Sequence, residues 1–450
     1  MGKFKYLTAP AATAKTPAGI GYILANEAFE RFAFYGTRCI LVVYMTKYLM
    51  GAGGVLDVMG AEESKAWFHL FVSAVYFAPL IGALICDIWL GKYRTIILFS
   101  IVYCFGFLAL ALDRTRVGLG VGLALIAIGS GVIKPCVSAN VGDQFGRTNE
   151  HLMSRVYGWF YFSINLGATV AQLLTPILLE KYGPRTAFGV PGVFMILATF
   201  AFWLGRRRFV HVPAAGAGFV KETFSGEGLR AIGRLCVIYL FIAVFWSLWD
   251  QLDSAWVLQA ERMNRLWLGH QWLSAQISAV NPVLIMILIP TFSLVIYPAI
   301  GRVFKLSALR KISIGLFLTA GAFVVSVWIE GRIGAGLRPS VGWLILAHTI
   351  LAASEIMVSI TCLEFSYTQA PKKIKSFVMA VFFLSVSLGN AFTSLVNWFI
   401  KNEDGTSKLP GASYFIFYVV LMMVTAVIFI FVARGYRERS YIQDEAEVGG

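Results

Sequence analysis

A chain of 450 residues that is 58% hydrophobic and only 14% charged, with a mean hydropathy of +0.73, carries more apolar surface than soluble domains of ordinary proportions can bury. A net charge of +14 would point to nucleic acid or an acidic partner in a soluble protein, but in a membrane protein it is a matter of topology. The expectation is a polytopic membrane protein with the lipid bilayer around it and no nucleic-acid partner.

Twelve apolar spans of helix length follow one another, at about 18–49, 66–90, 94–112, 117–141, 152–179, 187–205, 231–258, 273–301, 308–329, 341–369, 375–400 and 411–434. With both termini cytoplasmic, about 23 Lys and Arg fall in cytoplasmic segments against about 11 in outer loops, which sets the orientation. The expected location is the plasma (inner) membrane. The polar stretch 206–229 divides the spans six and six, so bundles are expected at 1–205 and 230–435, joined by a cytoplasmic linker and followed by a cytoplasmic tail at 436–450.

The first span carries EAFERFAFYGTR from Glu27 to Arg38. At about 100° per residue, Glu27, Glu30, Arg31, Phe34, Tyr35 and Arg38 share an arc of roughly 140°. Each charge would cost about 2.5–3.5 kcal/mol facing lipid, so the stripe faces protein or a water-filled cavity. A structural ion pair between helices is the alternative. In the second span His69 and Tyr76 lie two turns apart on one face, and GALICDIWLGKYRT at its end places Asp87, Lys92 and Arg94 at the membrane edge.

The fourth span holds GSGVIKPCVSANVGDQF, with Lys134 at membrane depth and expected to face a cavity. The fifth holds GWFYFSINLGATVAQ, with Tyr161 and Asn165 at i and i+4. Asn165 fits a substrate contact and a helix-to-helix hydrogen bond equally. The six cysteines lack paired spacing and read as small hydrophobes, without a metal site. No GxxxxGK[ST] loop and no hydrolytic Ser, His, Asp grouping occurs, so neither ATP coupling nor an enzyme is expected.

Three of these segments, on the first, fourth and fifth spans, resemble the ExxERFxYYG, GxxxxKPxxxxxxxDQF and FYxxINxG patterns of the proton-dependent oligopeptide transporter family. The second half is similar to it as well: FWSLWDQLDSAWVLQAERM in the seventh span, AVNPVLIMILIP in the eighth and ASEIMVSITCLEFSYTQAP in the tenth. The resemblance covers nearly all of the chain. It implies an all-α membrane protein of the major facilitator fold, twelve transmembrane helices in two pseudo-symmetric bundles. It further implies a symporter that imports di- and tripeptides with protons by alternating access, working as a monomer, with the proton as coupling ion and no cofactor.

By the same resemblance Arg31 and Lys134 take the peptide carboxylate, Glu355 takes the ammonium, and Asn165 and Asn281 add neutral hydrogen bonds. Charge-assisted bonds suit such a zwitterion, and a guanidinium offers carboxylate a bidentate fork. Tyr35, Tyr76, Tyr161, Trp246 and Phe382 would line side-chain pockets, although each aromatic alone fits ordinary packing. Glu27, Glu30, His69 and Asp250 are the proton-coupling candidates, since a carboxylate beside Arg31 frees that arginine when protonated. Arg38 and Asp250 would form a gate ion pair.

Two positions depart from the family. Asp253 stands where glycine is usual, which leaves the partner of Arg38 open, and Phe382 stands where many members have tryptophan. The linker is too short for the extra helix pair of many bacterial members. A different anionic solute such as nitrate is the second reading within transport, and a non-transporting receptor or scaffold a third; Glu355 and the complete ExxER pattern favour peptides.

Overall fold

The computed structural model describes residues 6–212, 214, 226–369 and 375–436. Most of the expected linker, the expected tail beyond residue 436 and the Asp87 side chain lie outside the described residues. The helices are α1 (Ile20–Lys47), α2 (Ala61–Ile85), α3 (Lys92–Leu112), α4 (Arg116–Asp143), α5 (Met153–Leu204), α6 (Gly226–Trp249), α7 (Ala255–Glu261), α8 (Val280–Thr291), α9 (Tyr297–Val303), α10 (Ala308–Gly334), α11 (Gly342–Glu355), α12 (Thr361–Gln369), α13 (Lys375–Ile400) and α14 (Ala412–Gly435). A two-stranded hairpin, β1 (Leu266–Trp267) with β2 (His270–Gln271), turns through Leu268 and Gly269, both at positive φ.

Among the described residues ten stretches are long and apolar enough to cross a membrane. The four buried charges of α1, Glu27, Glu30, Arg31 and Arg38, depress its hydropathy, although its 28 residues reach about 42 Å. Helix α5 differs from the expectation of two spans separated by a loop. Its 52 residues run without a coil segment, and the chain changes direction at Gly183, which takes φ 78° just before Pro184. That φ is open to glycine at little steric cost, so one residue does the work of a loop.

Three spans are continued by π-helical turns: Cys86–Leu90 after α2, Phe292–Ile296 between α8 and α9, and Ile356–Ile360 between α11 and α12. In the seventh span the helix tightens to a 3-10 turn over Asp250–Asp253 before resuming as α7. Each such change of winding resets which side chains share a face.

Within the first half α1 packs on α5, α3 on α4, and α2 on α4; within the second α10 packs on α11 and α14, and α6 on α13. The α1–α5 contact is close at Gly167, where a Cβ would meet the Ala28 carbonyl oxygen and sit 3.2 Å from Arg31 Cβ. Backbone cannot yield there as a side-chain tip can. Gly167→Ala is therefore expected to destabilise by about 1–3 kcal/mol of overpacking. A thermal unfolding midpoint in detergent equal to that of the parent would contradict it.

The halves meet across α2 and α13. The Ser73 and Ser387 hydroxyls lie 3.1 Å apart, Ser387 Oγ donates to the Ser73 carbonyl at 2.9 Å, and Ser394 Oγ donates to the Ala66 carbonyl at 2.8 Å. Nearer the mouths of the helices, Lys47 pairs with Glu261 and Lys401 with Glu63. Among the described residues these bonds lie from mid-helix to the face opposite the termini, and Phe383 packs beside Tyr76 and Lys134 at the inner end of the α2–α13 row. The halves are thus closed on the far face.

Candidate substrate and ion-coupling site

The stripe on α1 is buried in protein, with Glu27, Glu30, Arg31 and Arg38 each no more than 6% exposed. It splits into two ionic clusters. Toward the termini, Arg31 Nε meets Glu27 Oε1 at 3.1 Å and Glu30 Oε2 at 2.5 Å, and Ser130 Oγ on α4 donates to Glu30 Oε1 at 3.4 Å. One guanidinium thus serves two carboxylates on its own helix. Lys134 has no carboxylate partner among the described residues. Its Nζ donates to the Tyr76 hydroxyl at 3.0 Å and lies 4.2 Å from that ring and 5.6 Å from the Phe383 ring.

The second cluster resolves the partner of Arg38. The guanidinium bonds Asp250 through Nη2, and its Nε pairs with Asp253 Oδ2 at 2.8 Å, so both acids hold it. The 3-10 turn over Asp250–Asp253 puts both carboxylates on one side of the chain, three residues apart at three residues per turn. The Asp250 carboxylate also accepts from Asn390 Nδ2 at 2.5 Å. Asn390 then presents its Oδ1 to His69 Nδ1 at 2.7 Å, and His69 Nε2 lies 2.9 Å from the Ser254 hydroxyl. Because Asn390 Oδ1 is an acceptor, the bond requires the proton on Nδ1, which leaves Nε2 of a neutral ring to accept from Ser254. His69, fully buried, is therefore tied to the Arg38–Asp250–Asp253 cluster through Asn390.

A cavity of about 150 Å³ lies between the halves, lined among others by Tyr35, Tyr161, Asn165, Asn281, Trp249 and Glu355. Glu355 Oε2 accepts from Trp249 Nε1 at 2.8 Å and from Asn281 Nδ2 at 3.1 Å, which fixes the carboxylate on the second-half wall. Asn165 donates to the Tyr161 carbonyl of its own helix at 2.9 Å. Among the described residues it makes no hydrogen bond to another helix.

Of the residues expected from the sequence, Tyr35, Tyr161, Asn165, Asn281 and Glu355 come together on this cavity. Arg31, Lys134, Tyr76, Glu27 and Glu30 do not lie on its wall. Two aromatic assignments need correction. Trp246 is buried against Phe245 and Trp249, and it is Trp249 that reaches Glu355. Phe382 packs edge-on against Tyr239 inside the second half, and Phe383 is the ring beside Tyr76 and Lys134. Asn390, Ser254, Ser130 and Trp249 do not stand out in the sequence.

A model of the POT family (PTR2) matches residues 93–226 and 215–416. "Peptide transporter family 1" of Drosophila melanogaster is 36% identical over 361 residues, covering 70% of this chain and 48% of that protein. "Solute carrier family 15 member 2" of Homo sapiens is 32% identical over 398 residues, covering 76% and 53%. The chain spans about half the length of the curated relatives it matches. Two crystal structures superpose over almost their whole length. One, of an auto inhibited POT family peptide transporter, gives a TM-score of 0.86 at 32% identity, covering 95% of this chain and 99% of that one. The other, the in meso structure of the POT family transporter PepTSo, gives 0.86 at 34% identity, covering 94% and 98%. With the family model spanning residues 93 to 416 and this agreement in fold, the chain is a multi-pass membrane protein of major facilitator architecture and belongs to the POT family.

Proposed function

We propose that this chain is a proton-coupled symporter that imports di- and tripeptides by alternating access. The observation that carries the reading is the separation of charge in the membrane interior: an arginine shared by two glutamates on α1, and a carboxylate, Glu355, held on the opposite half where it lines the cavity. A zwitterion with a variable middle is matched by poles that engage its two ends. In this reading Glu355 takes the peptide ammonium, and Arg31 and Lys134 take the carboxylate. Among the described residues Lys134 is held by a neutral hydroxyl and two rings and by no carboxylate, so none need be removed before it engages one.

Proton entry then has a place to act. Protonating Glu27 or Glu30 removes some of the charge that occupies Arg31 and frees its guanidinium for the substrate. His69 and Asp250 stand in the second cluster, where a proton would loosen the hold on Arg38 and open the far face. A twelve-span count belongs to this reading: α1 crosses despite its charges, and the two arms of α5 on either side of Gly183 count separately. So do the plasma-membrane location with cytoplasmic termini, and the monomer. The names of the relatives agree with a peptide substrate.

The test is uptake of labelled dialanine into proteoliposomes holding the full chain under an inward proton gradient. Accumulation above equilibrium is expected; one charge moving down 100 mV supplies about 2.3 kcal/mol, or roughly fiftyfold. Glu30→Gln is expected to lose gradient-driven accumulation while still exchanging internal for external dialanine. If dialanine neither enters nor competes with labelled peptide, the peptide reading is wrong. Full accumulation by Glu30→Gln would remove that residue from proton coupling.

A further inference from the structure

The acid that lines the central cavity and the arginine that joins the halves share one neighbour. Trp249 donates its indole N–H to Glu355 Oε2 at 2.8 Å, and the guanidinium carbon of Arg38 lies 5.5 Å from the centre of its ring. The first contact stays within the second half, and the second crosses to α1 in the first. An indole suits this place because its N–H meets an anion while its π face meets a cation, and it does both without a charge of its own. Among the described residues no hydrogen bond or ion pair runs directly from Glu355 to Arg38, Asp250 or Asp253. Asn281, the other donor to Glu355, makes none to that cluster either.

The backbone adds a second link. Trp249 is the last residue of α6, and the 3-10 turn that gathers Asp250 and Asp253 on Arg38 starts at the next residue. Trp249 is buried and packs edge-on against Trp246, with ring centres 5.3 Å apart. A side chain packed in this way moves its neighbours when it moves. On the other side, both donors to Glu355 come to Oε2, and Oε1 receives no hydrogen bond among the described residues although Glu355 lines the cavity. An ammonium that binds there neutralises the carboxylate, and the indole N–H is left donating to a weaker acceptor. The hold on Trp249 is thus loosened at one end, while its other end is the ring contact with Arg38 and the peptide bond to Asp250.

We propose that Trp249 is a positioning residue that transmits occupation of Glu355 by the peptide ammonium to the Arg38–Asp250–Asp253 cluster. This rests on the peptide-transport reading and adds to it the route by which substrate binding reaches the closure of the far face. The coupling runs in both directions: a change in the cluster alters the affinity of Glu355 for the ammonium by the same factor by which the ammonium alters the cluster. It is carried by a packed side chain with a contact at each end, which is why removing the indole N–H alone is enough to break it.

The test measures binding of labelled dialanine to the purified full chain as parent, Asp250→Asn, Trp249→Phe and the double variant. Phenylalanine keeps an aromatic ring and lacks the N–H. In the parent background Asp250→Asn is expected to change the Kd of dialanine by about fivefold or more, the lower end of coupling between sites. In the Trp249→Phe background the same substitution is expected to leave the Kd nearly unchanged. Each ratio is taken within one background, so a loss of affinity due to Trp249→Phe itself cancels. Equal ratios in the two backgrounds overturn the link, since the coupling then bypasses the indole, and so does a Kd that Asp250→Asn leaves unchanged in the parent background. A second measurement needs only Trp249→Phe: Ser394→Cys, on the α13 side of the closure, is labelled with a membrane-impermeant maleimide and read at that residue by mass spectrometry. Saturating dialanine is expected to change the labelling rate when Trp249 is present and not after Trp249→Phe; the same response in both, or none in either, overturns the link. Failure of dialanine to bind the parent chain is a different result and removes the peptide reading together with the link.

Discussion

Arg38→Gln is expected to destabilise the chain by about 3–5 kcal/mol, because it leaves two buried carboxylates, Asp250 and Asp253, without their cation. A neutral amide can donate to one of them but cannot offset either charge. Asp250→Asn is expected to cost less, since Asp253 Oδ2 keeps Arg38 Nε paired and Asn390 can still bond the new side chain. That inequality separates a three-membered cluster from a simple pair, in which loss of either partner would be of similar size. Thermal unfolding in detergent of the two single variants measures it. Equal losses, or a larger loss for Asp250→Asn, would show that Asp253 contributes nothing to holding Arg38.

Glu355→Gln is expected to weaken dialanine binding about ten- to a hundredfold and to leave the unfolding midpoint near that of the parent. The amide oxygen can still accept from Trp249 and Asn281, so the wall of the cavity keeps its bonds. What is removed is the charge, and a hydrogen bond to an ionised group is worth about 1.5–3 kcal/mol. Competition against labelled dialanine, measured beside the unfolding midpoint, distinguishes a lost ligand contact from a damaged fold. Undiminished affinity would take Glu355 out of ammonium recognition.

Much of this site is legible in the sequence because charge in an apolar span is rare and expensive. The stripe from Glu27 to Arg38 and Lys134 stand out against their neighbours, helical spacing alone puts the stripe on one arc, and Glu355 is picked out by the resemblance. Neutral polar residues carry no such contrast. Asn390 lies in SVSLGNAF, where nothing in the spacing says that its amide joins His69 to Asp250; only the packing of α13 against α2 and α6 brings the three together.

Winding is hidden for a different reason. A span whose residues are nearly all apolar has no pattern by which to tell Phe382 from Phe383, or Trp246 from Trp249, and a constant 100° per residue fails where the helix changes type. The 3-10 turn at Asp250–Asp253 gathers two acids on one guanidinium, and the π turn at Ile356–Ile360 follows directly on Glu355. Glu364, nine residues beyond Glu355, therefore cannot be oriented by counting, and it is exposed. Position 183 reads as loop because glycine and proline punctuate helices, whereas the structure uses the pair as a hinge point within one helical run.

The contact between α2 and α13 behaves like a zip, with a knot beside it where α1 meets the 3-10 turn of the seventh span. Its teeth are serine hydroxyls and carbonyls, each with a net worth of about 0.5–1.5 kcal/mol, and they can separate in succession. The knot is the arginine with its two aspartates, where removing the cation costs several times what one tooth contributes. One elementary charge falling through 100 mV delivers about 2.3 kcal/mol, the size of two or three teeth. In the proposed cycle such a stroke is enough to unfasten the row but not to strip the arginine from its aspartates. The arginine is instead passed between partners in that cycle, and Asn390, which bonds both Asp250 and His69, ties the knot to the row.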